Sequence, residues 1–552
     1  MSAQEDIPVL LLDDEKLVRM TISAWLRPTH FKPVQASNAT EALAALKSNR
    51  FQAIISDVMM DGIDGFQFRE LVRQSDARVP VIFLTALVND ADNGFMRKVM
   101  SDVNSYYVPK TAPKEYLVGK LEQVVKSYVA ENSVAELQAS LDKSLDLAKL
   151  IQTSMLPPWI HGTKKFFASS FLKPLDKVGG DVYHSCRVGE DEALFFLGDI
   201  SGHGVSSALA MTAVQAFLNQ YNYVDGAHAR DVVKIAREID DFLAGHLHGI
   251  AYMPITIIYY NAAENRVRYL NAGNPRPKVF SRKDGSAIAI NPDSKGVTPL
   301  GLIPQTPIEE KDVVDAVVPE DALVFAFSDG YVDVSTDEAG EDRLPEDVFD
   351  EVCSTFASDE AICSAAIPQR ILATVDSLGY DRHQDDMALL VFGRKIAQEN
   401  SATFVVRMNT EAIDAAAQRG GEFIRRVRPD LAELSVKVEL LLDEHLMNVH
   451  DHALDDFGRR HDPSVVRVEL TGDYAVVSCW DHGREWTGPE DIRARPEAKL
   501  DRQNEDLGNH GRGEAIMRKI ATRISRQRFY DLNQNIFYIP LNSTQEGSGG
   551  GY

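Results

Sequence analysis

Four aspartates in the middle of this 552-residue sequence stand where a carboxylate could bind a metal ion. Each is next to a glycine or at the end of a predicted strand, and the four are Asp181, Asp199, Asp329 and Asp385. Carboxylates on strand-to-loop corners beside flexible glycines suit hard cations. A pair of such cations can generate a hydroxide from water at neutral pH and hold a phosphoryl group for in-line attack. A single Asp-Gly pair is most often a turn, but four acidic sites of this kind in one region favour a two-metal centre.

Another group of carboxylates is predicted near the N-terminus. Asp13 and Asp14 follow one buried apolar run, and Asp57 follows another. The carboxyl ends of parallel strands meet at one edge of a sheet, so these three carboxylates could hold a divalent cation there. Thr85 ends a further apolar run, and Lys110 lies beyond it in the chain. A hydroxyl and an ammonium at that edge would stabilise an anion formed on Asp57.

A third set, in the last quarter of the chain, has the composition of a nucleotide site. A carboxylate and an amide four residues apart share one face of a helix predicted over 434–454, where they could orient a nucleophile and bind Mg²⁺. An aspartate and a glycine end a predicted strand, where a flat base could approach closely. Two glycines lie at the start of a last helix, whose free N–H groups could bind a phosphate. In chain order these residues are Glu444, Asn448, Asp481, Gly483, Gly511 and Gly513.

Hydrophobic patterns predict the elements that position these residues. Near-continuous apolar runs alternate with amphipathic helical patterns in the first part of the chain, which indicates a parallel α/β sheet. Short strands around helical patterns in the middle indicate an α+β domain, and strands and helices recur in a further unit. The predicted divisions are a first domain over 1–128, a linker helix over 129–160, a second domain over 161–395, a third over 397–545 and a disordered tail over 546–552.

One long helix is predicted from Lys114 to Met155, because this stretch contains no proline and Pro157-Pro158 follows it. Apolar and small residues recur along it at spacings of three and four, and an earlier seam is offset by one residue. Two interpretations stay open at this point. The helix packs on its own domain, or it joins a second copy of the chain in a homodimer through a coiled coil.

The composition excludes several classes of protein. With 82 acidic against 58 basic residues the formal net charge is −24, which repels nucleic acids and anionic membranes. An apolar fraction of 44% rules out a wholly disordered chain, and no apolar run is long enough to span a membrane. The four cysteines have no metal-type or redox-type spacing, which is typical of reduced thiols in a cytoplasmic protein.

Residues 7–128 resemble the receiver domain of two-component response regulators, through the motifs LLLDDE, IISDVMMDGIDG, FLTA and YYVPK. The resemblance implies a flavodoxin-like fold in which Asp57 accepts a phosphoryl group from a sensor histidine kinase. It also implies that Asp14 and Asp57 bind Mg²⁺, with Asp13 acting mostly through water. The residues that would contact the phosphoryl group or reorient with it are Thr85, Lys110 and Tyr107. The family usually has proline after the lysine, where this chain has Thr111.

Residues 150–393 resemble the bacterial PPM-type serine/threonine phosphatases of the sporulation and general-stress branch, through VGGDVYHS, GDISGHGVSSALAM, NAGNPRP, FSDGYVDV and DDMALLV. The resemblance implies a β-sandwich flanked by helices, a phosphoserine or phosphothreonine substrate, and a pair of Mn²⁺ or Mg²⁺ ions. One ion would be held by Asp181, Asp199 and the backbone carbonyl of Ile200, and the other by Asp199, Asp329 and Asp385. Asn274 and Ala388 replace a usual histidine and threonine, neither of them a metal ligand, so activity is expected.

Residues 400–541 resemble the GHKL (Bergerat) ATPase fold, an α/β sandwich, and most of all the anti-sigma-factor serine kinases. The motifs are LDEHLMNVHDHA, WDHGREW and GNHGRGEAIMRKI. The implied roles are general base for Glu444, Mg²⁺ binding for Asn448, adenine binding for Asp481, and the ATP lid for Gly511 and Gly513. Residues 401–442 contain no histidine that could accept a phosphoryl group, which favours serine phosphorylation of a protein. Glu514 stands where the family usually has an apolar residue, and its charge would oppose that of a triphosphate.

Together, these resemblances imply a partner-switching response regulator. Its phosphatase and its kinase would act on opposite sides of one phosphorylation, on an anti-sigma-factor antagonist of the STAS type, with an anti-sigma or sigma factor as a further partner. The hypothesis for control is that phosphorylation of Asp57 reorganises the helix over 114–155 and changes the phosphatase rate. The alternative for the third domain is a binding module that sequesters a sigma-regulatory partner without kinase catalysis.

Overall fold

The chain forms two compact units, Met1–Ser144 and Leu145–Tyr552, with the division inside one long helix. The predicted tail and Gly511 lie outside the residues that can be described. The computed structural model describes residues 6–74, 76, 78–86, 102–202, 204–247, 250–290, 296–303, 306–359, 363–453, 462–485 and 512–541.

The first unit contains a five-stranded sheet in the order β2-β1-β3-β4-β5, with every pair parallel. Its strands are β1 (Ile7–Leu12), β2 (Phe31–Ala36), β3 (Ala53–Asp57), β4 (Val81–Thr85) and β5 (Ser105–Pro109). Its shorter described helices are α1 (Lys16–Leu26), α2 (Ala39–Ser48) and α3 (Gly65–Arg73). The predicted parallel α/β sheet is therefore confirmed.

Alternate side chains of these strands enter two cores, as the pleat of a strand requires. Val9 and Leu11 pack with α1 and the start of the long helix, whereas Leu10 and Leu12 pack with α2 and α3. Both faces of the sheet are thus covered, which explains why the central strands β1, β3 and β4 are nearly continuous apolar runs.

The long helix α4 (Lys114–Met155) has both of its predicted ends. Near its start, Leu117 and Leu121 are buried in the core of the first unit, as the first interpretation expected. Further along, Val134 and Leu137 are 68% and 72% exposed. The coiled coil stays a prediction that concerns this later part of the helix. Among the described residues, no helix is both long enough and apolar enough to cross a membrane.

The middle of the chain forms a sandwich of two five-stranded sheets, in the orders β13-β11-β10-β9-β8 and β12-β14-β15-β7-β6. All of its strand pairs with a described register are antiparallel. The strands are β6 (Ile160–Gly162), β7 (Phe166–Lys173), β8 (Asp181–Arg187), β9 (Glu192–Asp199), β10 (Ile255–Asn261), β11 (Arg266–Ala272), β12 (Lys278–Ser281), β13 (Val313–Val317), β14 (Ala322–Phe327) and β15 (Met387–Arg394).

One core fills the space between the two sheets, and a further core covers the outer face of each. Helices α5 and α7 cover the first sheet, and α8 and α9 cover the second. This is the predicted β-sandwich flanked by helices. The helices are α5 (Val205–Leu218), α6 (Gly226–Arg230), α7 (Val232–His246), α8 (Glu346–Ser358) and α9 (Ile367–Ser377).

The last part of the chain forms an antiparallel sheet in the order β16-β17-β18-β20-β19, with helices packed on one face. In place of one helix over 434–454, the structure has an α-helix that ends at Asn448. A π-helical turn over Val449–Ala453 follows it directly. The strands are β16 (Ser401–Val406), β17 (Ser464–Leu470), β18 (Tyr474–Asp481), β19 (Arg523–Phe529) and β20 (Leu532–Pro540), and the helices are α10 (Thr410–Val427), α11 (Ala432–Asn448) and α12 (Arg512–Ile520).

The opposite face of this last sheet packs against the sandwich. Trp480 and Leu532 share a small buried cluster with Trp159 and Ile160 of the sandwich. The indole N–H of Trp159 also donates a hydrogen bond to the carbonyl of Pro463, at 2.8 Å. The sandwich and the C-terminal domain therefore belong to one packed body within the second unit.

Candidate functional site

The four central aspartates meet at one edge of the sandwich. Asp181 begins β8 and Asp199 ends β9, and the two residues lie opposite each other in the antiparallel register. Asp329 follows β14 and Asp385 precedes β15, and these two strands are neighbours in the other sheet. Four sequence-distant corners are thus brought to one place by strand pairing.

Ser328 joins the two halves of this site, because its hydroxyl donates to Asp181 Oδ2 at 2.9 Å. Asp181 is only 3% exposed, and among the described residues its Oδ1 is buried without a hydrogen-bond partner. A Cβ on Gly180 would lie 2.8 Å from the carbonyl oxygen of Ile200 and 3.2 Å from Asp199 Oδ1. Only glycine therefore allows these oxygens to approach the backbone of β8 so closely.

The charges of these carboxylates oppose one another. Burial and the neighbouring Asp199 raise the pKa of Asp181 well above its ordinary value. Burial, with the charges of Asp329 and Asp385, raises the pKa of Asp199 to about 7. Burial and Asp385 also raise the pKa of Asp329. Cations at this place would remove the repulsion and give the orphaned oxygen of Asp181 a partner, so the residues present fit a metal site.

Ser328 and Asp386 were missed by the sequence analysis as functional residues. Asp386 accepts backbone N–H bonds from Leu175 at 2.7 Å and from Gly180 at 2.5 Å, so it holds the loop that leads into Asp181. The doublet Asp385-Asp386 was visible in the sequence, but its spacing does not tell which carboxylate faces the other aspartates.

Both departures from the phosphatase pattern have structural roles. The side-chain amide of Asn274 donates to the carbonyl of Leu197 at 2.8 Å, which ties the turn after β11 to β9. The backbone N–H of Ala388 donates to the hydroxyl of Ser328 at 2.8 Å, and its methyl group is buried between the sheets. Neither residue displaces one of the four aspartates.

The end of helix α4 is tied directly to this site through Gln152. Its amide group donates to the carbonyls of Gly179 and Ala208, both at 3.1 Å, and its Oε1 accepts from the N–H of Gly179 at 3.4 Å. Gly179 lies two residues before Asp181 in the chain. A rotation of this helix would therefore move the backbone that carries a predicted metal ligand.

At the sheet edge of the first unit, Asp13, Asp14 and Asp57 offer oxygens that lie within 4.8 Å of one another. No other set of three acidic, thiol or imidazole groups in the described parts of the chain does so. The central aspartates are thus spaced more widely, which suits ions that keep bound waters. Lys110 Nζ lies 2.8 Å from Asp57 Oδ2 and 3.1 Å from Asp13 Oδ2.

Burial raises the pKa of Asp13 above its ordinary value, although Lys110 acts against this shift. Partial burial would lower the pKa of Lys110, but hydrogen bonds to Asp57 and Asp13 raise it overall, so the ammonium stays charged. Thr85 ends β4 opposite Pro109, and the N–H of Lys110 donates to its carbonyl at 2.6 Å. Tyr107 is 41% exposed on β5. Although Thr111 replaces the usual proline, Lys110 still contacts Asp57.

In the C-terminal domain, Glu444 and Asn448 face the start of helix α12. A Cβ on Gly513 would lie 2.6 Å from Glu444 Oε2 and 2.9 Å from Asn448 Nδ2. The first turn of α12, with its free N–H groups, thus lies against the carboxylate and the amide, as the predicted phosphate site requires. Gly511 falls outside the described residues, so its predicted place in the lid stays a prediction.

Asp481 ends β18 and is almost completely buried, which raises the pKa of its carboxyl above the ordinary value. Its Oδ1 accepts from Asn533 Nδ2 at 2.9 Å and from the N–H of Gly483 at 2.8 Å. Both bonds reach the same oxygen and fix the orientation of the carboxyl group, so its Oδ2 can accept from a base amine. Asn533 was missed by the sequence analysis, since nothing in its own neighbourhood distinguishes it.

Glu514, whose charge was expected to oppose a triphosphate, is paired with two arginines. Its carboxylate lies 3.0 Å from Arg526 Nη2 and 3.1 Å from Arg518 Nε. Two guanidinium groups neutralise the glutamate, so it opposes a triphosphate much less than an unpaired carboxylate would.

Comparison with known families agrees with this geometry. The response regulator receiver domain matches residues 9–122, the stage II sporulation protein E (SpoIIE) family matches residues 189–395, and the histidine kinase-like ATPase domain matches residues 406–536. These matches correspond to the parallel sheet, to most of the sandwich and to the C-terminal sheet with its helices.

Individual relatives share parts of the chain. Response regulator Rre1 of Synechocystis is 36% identical over 152 residues, which are 26% of this chain and 59% of the relative. Protein PilG of Pseudomonas aeruginosa is 30% identical over 138 residues, which are 24% of this chain and 100% of the relative. The solved RsbU and RsbW domains of Rv1364c from Mycobacterium tuberculosis are 16% identical with a TM-score of 0.36, over 70% of this chain and 94% of that one.

The receiver match covers the carboxylate trio, the SpoIIE match covers three of the four central aspartates, and the ATPase match covers Glu444, Asn448 and Asp481. The chain therefore belongs to the response regulators, and it combines a receiver domain with a domain of the SpoIIE family and a histidine kinase-like ATPase domain.

Proposed function

We propose that the output of this response regulator is the metal-dependent hydrolysis of phosphoserine or phosphothreonine in a partner protein. One observation carries the proposal: Asp181, Asp199, Asp329 and Asp385 lie at separate strand ends and converge closely enough that burial and their mutual charges raise the pKa values of Asp181, Asp199 and Asp329. Buried carboxylates in this arrangement need cations, and paired cations suit phosphoryl hydrolysis.

The roles of the individual residues follow the phosphatase resemblance. Asp181, Asp199 and the carbonyl of Ile200 would hold one Mn²⁺ or Mg²⁺, and Asp199, Asp329 and Asp385 the other. Bound metal ions would supply an activated water and neutralise charge on the phosphoryl group. The chain itself orients the ligands: Ser328 fixes Asp181, and Asp386 fixes the loop before it.

Hydrolysis of a phosphoserine peptide by the full-length protein tests this proposal. We expect phosphate release that needs Mn²⁺ or Mg²⁺, stops with EDTA and falls at least about 100-fold in Asp329→Asn. The matched control is Asp284→Asn, on the hairpin after β12, which keeps the fold and lies outside the site. Metal-independent release, or equal rates in both variants, would contradict the proposal.

We also propose that phosphorylation of the receiver domain controls the phosphatase rate. A sensor histidine kinase would phosphorylate Asp57, with Mg²⁺ bound by Asp14 and Asp57, and Asp13 acting mostly through water. Lys110 would hold the new anion, because its ammonium already lies 2.8 Å from Asp57. Helix α4 is the covalent connection to the phosphatase, and Gln152 at its end holds Gly179.

Adding a small phosphodonor tests whether the phosphatase rate depends on phosphorylation of the receiver. We expect the donor to change the phosphatase rate of the wild type and to leave Asp57→Ala unaffected, whichever the direction of the change. Equal rates with and without donor in the wild type would remove receiver control while leaving phosphatase activity in place.

For the ATPase domain we propose serine kinase activity on the same partner, an anti-sigma-factor antagonist of the STAS type. Asn448 would hold Mg²⁺, Asp481 the adenine amine, and the start of α12 at Gly513 the phosphates, with Gly511 and Gly483 close by. Bound ATP would supply the phosphoryl group. Glu444 Oε2 faces the start of α12 and would accept the proton of a serine hydroxyl.

Labelled ATP with a candidate antagonist tests the kinase. Transfer to serine that is lost in Glu444→Gln supports it. ATP binding without transfer would instead favour a module that sequesters a sigma-regulatory partner. The homodimer through α4, an anti-sigma or sigma factor as further partner, the lack of nucleic-acid and membrane binding, and the cytoplasmic location stay predictions.

A further inference from the structure

The hairpin between β19 and β20 carries Tyr530 from the ATPase domain onto the phosphatase domain. The Tyr530 hydroxyl donates to Asp376 Oδ2 on helix α9, and its ring lies 5.6 Å from that of Phe171. Lys173 Nζ lies 4.6 Å from the centre of the same ring. Tyr530 therefore packs against the outer core of the second sandwich sheet.

The backbone conformation of Tyr530 is unfavourable for a tyrosine, which indicates that its side-chain contacts with the phosphatase domain stabilise it. Tyr530 and Asp531 form a two-residue hairpin loop, and Tyr530 has a φ of +57°. Such loops favour asparagine or glycine at positive φ, and a bulky residue there is strained. The contacts with the phosphatase offset that strain.

From Tyr530 the contacts continue to a histidine beside the metal site. The other oxygen of Asp376 lies 3.3 Å from His383 Nε2, and Lys173 Nζ lies 3.2 Å from the same nitrogen. On its other side, His383 Nδ1 lies 3.0 Å from the sulfur of Met387. His383 is thus held between helix α9, strand β7 and the start of β15.

This histidine belongs to the segment that carries Asp385. Residues 378–386 connect the end of α9 to β15, and a cavity of about 400 Å³ lies beside them, lined by Lys173, His383 and Asp385. The cavity leaves this segment without packing on that side. On its other sides this segment is held by two backbone hydrogen bonds between Arg382 and Ser335, both at 3.0 Å, by Asp386, which bonds the backbone of the 174–180 loop, and by the contacts of His383. Of these, the contacts of His383 lead to Tyr530 of the ATPase domain.

We infer that Tyr530 is a positioning residue for the phosphatase metal site: it acts through Asp376 and His383 on the segment that holds Asp385. The inference rests on the proposed phosphatase function. In this arrangement the ATPase domain contributes a structural part of the phosphatase site, so metal binding in one domain depends on packing against the other.

Mn²⁺ affinity tests this inference directly, measured as free Mn²⁺ by electron paramagnetic resonance with full-length protein. All proteins carry Asp57→Ala, which removes one of the three receiver carboxylates equally from each. Loss of a direct partner of a metal ligand costs about 10- to 100-fold in metal affinity, and Tyr530 acts from further away. We expect Tyr530→Ala to weaken the phosphatase sites about 3- to 10-fold, and Tyr530→Phe about 2-fold because its ring stays over Lys173.

Tyr474 provides the matched control. It begins β18 opposite Pro540, at the other end of the sheet from Asp481 and the hairpin. We expect Tyr474→Ala and Tyr474→Phe to bind Mn²⁺ like the parent protein. An effect of Tyr474→Ala as large as that of Tyr530→Ala would overturn the inference, because it would show a general loss of stability.

A double-variant cycle tests whether Tyr530 acts on Mn²⁺ affinity through Asp376. Asp376→Ala and Tyr530→Phe remove the two partners of the same hydrogen bond, so the double variant should bind Mn²⁺ no more weakly than the weaker single variant. Additive losses would overturn the inference, and so would unchanged affinity in both Tyr530 variants. If the parent protein neither binds Mn²⁺ at the central aspartates nor hydrolyses phosphoserine, the proposed function fails instead, a result visible before any Tyr530 variant is compared.

Discussion

Ser328 fixes Asp181 through a single hydroxyl group, which donates to the carboxylate and accepts from the N–H of Ala388. Both partners belong to the sandwich core, and Ser328 itself is fully buried. A residue that is no metal ligand thus determines where one proposed ligand points, as often happens around metal sites.

Ser328→Ala should therefore weaken Mn²⁺ binding about 10- to 100-fold and cost about 1–3 kcal/mol of unfolding free energy, because two buried groups lose their partner. Metal titration of the phosphatase rate and denaturant unfolding measure the two effects. Ser354→Ala is the control: its hydroxyl donates to the carbonyl of Gly285, away from the aspartates. Equal metal dependence in both variants would contradict the role of Ser328.

Buried histidines make the second unit sensitive to acid. Burial lowers the pKa of His445 to about 3 and that of His184 to about 4. Well above pH 6.5, the ordinary pKa of histidine, these residues are neutral in both the folded and the unfolded state. As the pH falls from 6.5 towards 4, the unfolded state takes up protons that the folded state does not, so stability is lost in that window.

His445→Met should reduce this loss by up to about 1.4 kcal/mol per pH unit below pH 6.5. The measurement is the unfolding free energy of the full chain between pH 7 and 5. His246 is exposed, so His246→Met should leave the slope of the wild type unchanged. A slope for His445→Met equal to that of the wild type would show that His445 titrates normally.

Gln152 lies in the last turn of helix α4, so the helix that leaves the receiver unit finishes at the phosphatase site. Gln152→Leu should lower the phosphatase rate by about 10-fold and abolish the response to a phosphodonor. Gln138→Leu lies on the same helix but is exposed, and it should keep both rate and response. A Gln152→Leu protein with a normal response would exclude this contact as the route of control.

Element boundaries follow from local sequence, which is why helix α4 and the strands that lead to Asp57 and Asp199 could be predicted, although both strands extend to include the aspartate. Prolines end the helix, and apolar runs mark buried strands. The π-helical turn after Asn448 could not be predicted, because a helical periodicity continues through it. The pairing of Ser328 with Asp181 could not be predicted either, since it depends on the register between strands far apart in the chain.

The contacts between the phosphatase domain and the ATPase domain could not be predicted for the same reason. Trp159 and Tyr530 each read as an ordinary aromatic residue in the sequence, and only the packing of two domains gives them partners. The pairing of Glu514 on α12 with Arg526 on β19 could not be predicted either, because it depends on how the helix packs against the sheet.

At the scale of the whole molecule, the phosphatase and ATPase domains share a buried cluster around Trp159, whereas the receiver has its own cores. We expect two thermal transitions, one for each compact unit. Trp159→Ala should destabilise the second unit by about 3–5 kcal/mol and split its transition. Trp25→Ala, in the receiver core, should lower the other transition alone. A split second transition in the wild type would contradict the single packed body.

The proposed phosphatase activity depends most on a pair of metal ions held by the central aspartates. The direct measurement is the number of Mn²⁺ ions bound per chain at equilibrium, compared between the wild type and Asp199→Asn. Asp199 would serve both ions, so the variant should lose the pair and retain only the ion of the receiver. Equal numbers of bound ions in the two proteins would contradict the account.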